Sequence, residues 1–207
     1  MGRVLTLVLV RHAATAWNES RYCQGRKDVP LSPTGRRQVA LLREALSDVT
    51  FDKAYASPLS RAQETARLLG QEPRIIDDLT EIDRGHWEGH PPAEIRRRWG
   101  KLARAWYDDP TGLAMPGGEE FDALWERAQR VLDFIVTDRG GRSVLACGHK
   151  AINRVIIARA LGRPAKGVWA IPQFQACRTL LHRGPEGWRA EIIGDVAHLP
   201  AGLRSDT

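Results

Sequence analysis

The stretch Leu5-Thr6-Leu7-Val8-Leu9-Val10-Arg11-His12-Ala13-Ala14-Thr15-Ala16-Trp17-Asn18 decides the fold. Its first six residues read as a buried strand, and that strand ends abruptly in an arginine and a histidine. In open α/β sheets the carboxyl ends of the strands are where ligands bind. Arginine offers a planar fork to a phosphate or carboxylate, and histidine serves as nucleophile, base or metal ligand. A strand ending in this way points to an anion-handling site.

Working outward, matching pieces recur. Ser57-Pro58-Leu59-Ser60-Arg61-Ala62 puts a second arginine just after the short apolar strand Ala54–Ala56, at the start of a helix. Ser143-Val144-Leu145-Ala146-Cys147-Gly148-His149-Lys150 repeats the plan with a second histidine. The loop Leu79-Thr80-Glu81-Ile82-Asp83-Arg84-Gly85-His86-Trp87-Glu88-Gly89 supplies acids. Two histidines, two arginines and an acid at the ends of elements make a phosphoryl-transfer set.

The remaining pattern places helices at Thr34–Leu46 (with Ser32 or Thr34 as N-cap), Leu59–Leu69, Pro92–Tyr107, Glu119–Val136 and Ala151–Leu161. Strands are expected at Arg74–Ile76 and Ser143–Ala146. A terminal hairpin pairs Cys177–Arg183 with Trp188–Ile193 across Gly184-Pro185-Glu186-Gly187. Strands alternating with helices argue for a mostly parallel sheet. The expected fold is a three-layer α/β/α sandwich with a small helical insertion, built as a single domain over residues 1–207.

In this order the motifs resemble the histidine phosphatase superfamily, the phosphoglycerate mutase-like family. The resemblance runs from Val8 to His198 through Arg11-His12-Ala13-Ala14-Thr15-Ala16-Trp17-Asn18, Tyr22-Cys23-Gln24-Gly25, Asp28-Val29-Pro30-Leu31-Ser32 with Gly35, Ser57-Pro58-Leu59-Ser60-Arg61-Ala62, Trp87-Glu88-Gly89, Gly117-Gly118-Glu119-Glu120, Gly148-His149 and Ala197-His198-Leu199. The chain departs from the family in three places. Ala13 replaces the usual glycine after the first histidine, Ala14 a frequent glutamate, and Lys150 the glycine that usually follows the second histidine. Ala13 requires a negative φ there. These departures bear on substrate preference more than on chemistry.

The residue types suit a phosphomonoester. An anionic nucleophile is repelled by the dianion, so a neutral imidazole, assigned to His12, is the natural attacker. Arg11, Arg61, His149 and Asn18 receive the charge on the equatorial oxygens, with no metal and no cofactor expected. The resemblance implies Glu81 as the proton donor, although Asp77, Asp78, Asp83 and Glu88 share its loop. Gln24 and Gly25 fall at the mouth as substrate-binding candidates. In the inserted helix Trp99, Trp106 and Tyr107 either line the pocket or, by helical spacing, pack the core.

The expected function is a metal-independent phosphatase acting through a phosphohistidine on His12; the alternative within the family is a cofactor-dependent phosphoglycerate mutase. The compact segment between Glu81 and Gly117 favours the phosphatase. A non-catalytic nucleic-acid-binding module is the reading from another class, prompted by a net charge of +6 carried almost wholly by arginine. No nucleic-acid motif supports it. The densest basic run, Arg96-Arg97-Arg98, falls in an amphipathic helix, where charges ordinarily face solvent. A cysteine phosphatase fails on the spacing from Cys147 to Arg154. A zinc site on His86 and His90 needs a helix that Gly85, Gly89, Pro91 and Pro92 forbid.

The chain is 43% hydrophobic and 27% charged, as a globular fold requires, so disorder is not expected beyond the ends. The three cysteines, Cys23, Cys147 and Cys177, are odd in number and lack redox or metal spacing. No segment approaches the about 20 apolar residues that span a bilayer, and the first strand is too short for a signal-peptide core. A cytoplasmic location is the default. The expected partner is a small phosphorylated metabolite, with neither nucleic acid nor membrane; a homodimer is an assembly open to it.

Overall fold

A computed structural model describes residues 4–138 and 141–205. Strand β1 (Leu5–Arg11) is apolar on both faces because it lies inside the sheet and is covered from both sides. Leu7 and Leu9 enter one core, and Val8 and Val10 enter the other. The other strands are β2 (Lys53–Ala56), β3 (Arg74–Ile75), β4 (Ser143–Gly148), β5 (Arg178–Gly184) and β6 (Gly187–Asp195), in the order β3-β2-β4-β1-β5-β6. From β3 to β1 the pairings are parallel; β5 adds antiparallel to β1, and β6 pairs antiparallel with β5 at the edge, as the expected hairpin.

Helices α2 (Pro33–Ala45) and α3 (Ser60–Leu68) cover one face, where Val39, Leu42, Ala62 and Ala66 meet Val8, Val10, Ala56 and Cys147. Helices α5 (Phe121–Thr137) and α6 (Lys150–Ala160) cover the other, where Leu124, Val131, Ile152 and Ile156 meet Leu7, Leu9, Val144 and Ala146. The fold is therefore a three-layer α/β/α sandwich around a mixed sheet. Each fully buried Leu, Ile or Val contributes about 1.5–3 kcal/mol from removal of its apolar surface from water.

Local chemistry places the boundaries. Of the two candidate caps, Ser32 starts α2: its Oγ accepts from the Gly35 N–H at 3.1 Å, with Pro33 in the first turn. The short helix α1 (Ala16–Glu19) is held by a capping box between Thr15 and Asn18. Helix α4 (Pro92–Asp108) kinks at Trp99, just before Gly100. The start expected for α5 at Glu119 is corrected to Phe121. Glu119 instead turns its carboxylate to Arg127, which donates from Nε at 2.7 Å and from Nη2 at 2.9 Å. No helix among the described residues is long and apolar enough to cross a membrane.

Candidate active site

The parallel pairing of β1 with β4 sets Arg11 beside Gly148, so the residues that follow, His12 and His149, emerge together at the carboxyl edge of the sheet. The His12 N–H donates to the Gly148 carbonyl at 3.0 Å, and the two imidazole centroids lie 5.0 Å apart. Gly148 leaves room for the Asn153 side chain: a Cβ there would stand 2.3 Å from Asn153 Oδ1. Ala13 has no positive φ, since Arg21 and Ala176 are the non-glycine residues that do.

Each imidazole has a defined tautomer. His12 Nδ1 lies 2.7 Å from the Ala13 carbonyl, which can only accept, so Nδ1 carries the proton and Nε2 the lone pair. In His149 the order is reversed. Arg61 Nε–H donates to Nδ1 at 3.2 Å, so the proton sits on Nε2, a buried atom with no hydrogen-bond partner. Burial, and then the positive charge of Arg61, lower both histidines well below their ordinary range, and both are neutral at pH 7.

Arg61, fully buried at the start of α3, is fastened at three points: to His149 and to the backbone carbonyls of Gly25 at 2.7 Å and Lys27 at 2.9 Å. Burial pushes its guanidinium down to about 10, still charged at neutrality. Those carbonyls belong to a loop that Glu88 organises by accepting the N–H groups of Gly25 at 2.8 Å and Lys27 at 2.6 Å. Arg11 donates from Nη1 to the Gln173 carbonyl at 2.6 Å.

Glu81 is buried at the mouth of α6. Its Oε1 accepts from the N–H groups of Ile82, Ala151 and Ile152, and its Oε2 from Ala151 alone at 3.1 Å. The carboxylate thereby caps a helix whose N-cap residue, His149, makes no side-chain cap bond.

These groups open onto a cavity of about 1250 Å³. Arg11, His12, Asn18, Gln24, Arg61 and Glu81 line it. His149 is not among the lining residues but lies beside His12, ring centroids 5.0 Å apart, and against Arg61; Gly25 does not line the cavity either. The polar atoms of Gly25 serve Glu88 and Arg61, and its lack of a side chain admits Arg84, whose Cγ would lie 2.8 Å from a Cβ at that position. Asn18 Oδ1 and Gln24 Oε1 both contact the Thr15 hydroxyl. With one proton to give, that hydroxyl serves only one of them as donor, and turning the Gln24 amide lets its Nε2 donate instead.

Of the three aromatic candidates on α4, Trp106 is fully buried, Trp99 packs against the core, and Tyr107 alone is exposed at the cavity wall. The segment of His86 and His90 forms a single tight turn, Gly85–Trp87, and His90 pairs with Glu94 instead. Cys147 is buried in β4, where desolvation raises its thiol far above the range of a useful thiolate. Sequence reasoning missed Glu88 as the organiser of the Arg61 loop, Gln173 as the partner of Arg11, and Arg84 as a wall residue. Gln173 and Arg84 have no local spacing signal, and the motif Trp87-Glu88-Gly89 marks Glu88 without revealing its role, because each acts across the fold.

The chain matches the histidine phosphatase superfamily (branch 1) over residues 7–196. It is 28% identical to phosphoserine phosphatase 1 of Hydrogenobacter thermophilus over 183 residues, covering 86% of this chain and 87% of that one. It is 34% identical to the 2-carboxy-D-arabinitol-1-phosphatase of Triticum aestivum over 161 residues, 75% of this chain and 32% of that one. The chain thus spans about a third of the length of the carboxyarabinitol phosphatase relatives it matches in Arabidopsis thaliana and Triticum aestivum. Among solved structures, the α-ribazole phosphatase of Shigella flexneri superposes with a TM-score of 0.83 at 27% identity, covering 92% of this chain and 96% of that one. A sheet whose central strand delivers Arg11 and His12 beside His149, and a match that runs through almost the whole sequence, place this chain in the histidine phosphatase superfamily.

Proposed function

We propose that the chain is a phosphatase that hydrolyses phosphomonoesters through a phosphohistidine on Nε2 of His12. The tautomer of His12 carries this reading: with Nδ1–H committed to the Ala13 carbonyl, a neutral Nε2 lone pair is left as the nucleophile at the cavity. Attack on phosphorus forms the N–P bond and breaks the ester P–O bond. The imidazolium so created keeps its Nδ1–H on a carbonyl that welcomes the positive charge. Arg11, Arg61, Asn18 and the Nε2–H of His149 receive the equatorial oxygens. A buried donor without a partner costs about 1–3 kcal/mol, and a phosphoryl oxygen relieves that cost at His149.

Glu81 passes a proton from Oε2, which accepts a single N–H, to the leaving alkoxide. As a carboxylate it then takes a proton from the water that breaks the N–P bond. The cations and neutral donors around His12 do the work a metal would do, so no metal takes part. The substrate is a small phosphorylated metabolite, as are those named for several relatives.

The test is a denaturing alkaline quench during turnover of a radiolabelled phosphomonoester. Acid-labile, base-stable phosphate is expected on wild-type protein and absent from His12→Ala, whose steady-state rate is abolished. Label on another residue overturns the assignment. A rate lost to a chelator and restored by one divalent ion overturns metal independence. Release of inorganic phosphate without a bisphosphoglycerate primer is expected; interconversion of phosphoglycerates with almost no release installs the mutase reading instead. Nucleic-acid binding that survives the loss of all turnover would favour the binding module.

A further inference from the structure

Arg84 has no part in the chemistry at His12, yet it is only 9% exposed and lines the same cavity. Its Nε has no hydrogen-bond partner, and among the described residues no carboxylate lies within ion-pairing distance of its guanidinium, which meets the Tyr107 hydroxyl. Burial works against its charge, but Cys23, Tyr107 and Glu81 around it outweigh burial and raise its pKa, so Arg84 stands in the wall as a firm cation with no direct ion pair among the described residues. The approach is built in, since Gly25 leaves room for the Arg84 stem.

The surroundings continue the theme. Arg96 and Arg104, two turns apart on one face of α4, and Arg21 also line the cavity, and none of them is ion-paired among the described residues. Arg97 and Arg98 on the same helix are paired to Glu94, at 3.7 and 2.5 Å. Seven cationic side chains line the cavity against one carboxylate, Glu81. One phosphoryl group at His12 uses Arg11 and Arg61 and leaves Arg21, Arg84, Arg96 and Arg104 on the outer wall. The cavity, about 1250 Å³, also exceeds the roughly 300–1,000 Å³ of ordinary ligand sites.

Building on the phosphatase reading, we infer that the outer cavity is a second anion subsite centred on Arg84, and that the substrate is a phosphomonoester whose leaving portion carries an oxyanion of its own, a phosphate or a carboxylate. Arg84 holds that group in a desolvated fork, Arg96 and Arg104 close over it from α4, and Pro91, Ile95 and Ala103 pack the uncharged part between the two anions.

Three probes with the same scissile end test this: glucitol 6-phosphate, with a neutral far end; 6-phosphogluconate, with a carboxylate; and glucitol 1,6-bisphosphate, with a second phosphate. Wild-type kcat/KM is expected to favour at least one charged probe over the neutral one by about tenfold or more, as a desolvated charged hydrogen bond allows. The better of the two charged probes tells phosphate from carboxylate. Arg84→Met should bring that ratio to within about twofold, and Arg84→Lys, which keeps charge without the fork, should hold an intermediate value.

A ratio near one in the wild type, or a ratio unchanged in Arg84→Met, overturns the subsite. So does a preference that survives Arg84→Met and disappears in high salt, which is steering by the exposed arginines alone. If Arg84→Met fails to fold by circular dichroism, the exposed pair Arg96→Gln/Arg104→Gln decides, and no fall in the ratio overturns the proposal. Calorimetric binding of the three probes to His12→Ala repeats the comparison without turnover. Absence of wild-type hydrolysis of any probe therefore defeats the phosphatase reading, while the binding ratio still decides the subsite.

Discussion

Acid should destabilise this fold through its two site histidines. His12 and His149 are 3% and 0% exposed, and burial first, Arg61 second, lower both well below the ordinary value of 6.5. In the unfolded chain each titrates near that value. Between pH 6.5 and the depressed folded values the unfolded state therefore binds more protons than the native one, and stability falls as pH falls. For one histidine held neutral in the native state, the step from pH 6.5 to 5.5 removes about 1 kcal/mol, and the pair removes about 2 kcal/mol. Urea denaturation followed by tryptophan fluorescence measures this directly, compared between wild type and His12→Asn/His149→Asn. Carboxylates lowered by their partners, such as Glu119 and Asp138, and the half-buried His198 act with the same sign, but they are present in both proteins and cancel. The wild-type loss should exceed that of the variant by about 2 kcal/mol over this interval. Parallel curves would mean that the native histidines accept protons freely, and the electrostatic account of the site would be refuted.

Glu81→Gln retains an oxygen to cap α6 but cannot protonate an alkoxide, so turnover of an alkyl phosphate should fall by about 10²–10⁴-fold. In a single-turnover burst an aryl phosphate should lose less, and equal losses in that burst would assign the proton to another acid of the loop. At Gly35, inside α2, alanine would ordinarily stabilise the helix by roughly 0.5–1 kcal/mol. Its Cβ would stand 2.1 Å from the Ala14 carbonyl, however, so Gly35→Ala should lower the urea midpoint; a raised midpoint would show that the α2 contact with the loop after His12 is soft.

Much of this architecture was legible without coordinates because its signals are local. The doubly apolar run Leu5–Val10 could only be an interior strand, and alternation of strand and helix up to Leu69 announced a parallel sheet. Glycines and a short turn marked the terminal hairpin, Arg178–Gly184 with Gly187–Asp195. Boundaries slipped where a side chain had a distant partner. Glu119 looks like the first turn of a helix, but the ion pair with Arg127 draws it out of α5. The candidate site was legible as a set of residue types at strand ends, and Gly25 shows where that reading stops. Read as a substrate-binding candidate, it lies outside the cavity lining, and its atoms serve Arg61 and Glu88.

By itself, then, the sequence determined the layers, the central strand and the cast of histidines, arginines and acid, because periodicity and strand-end chemistry are properties of neighbouring residues. Only the tertiary structure decided which nitrogen of each imidazole holds its proton, since that depends on the Ala13 carbonyl in one case and on Arg61, 88 positions away from His149, in the other. It also decided that Arg84 is an interior cation in the cavity wall with no carboxylate in ion-pairing contact among the described residues. Burial and ion pairing are sums over residues remote in sequence, and no local pattern contains them.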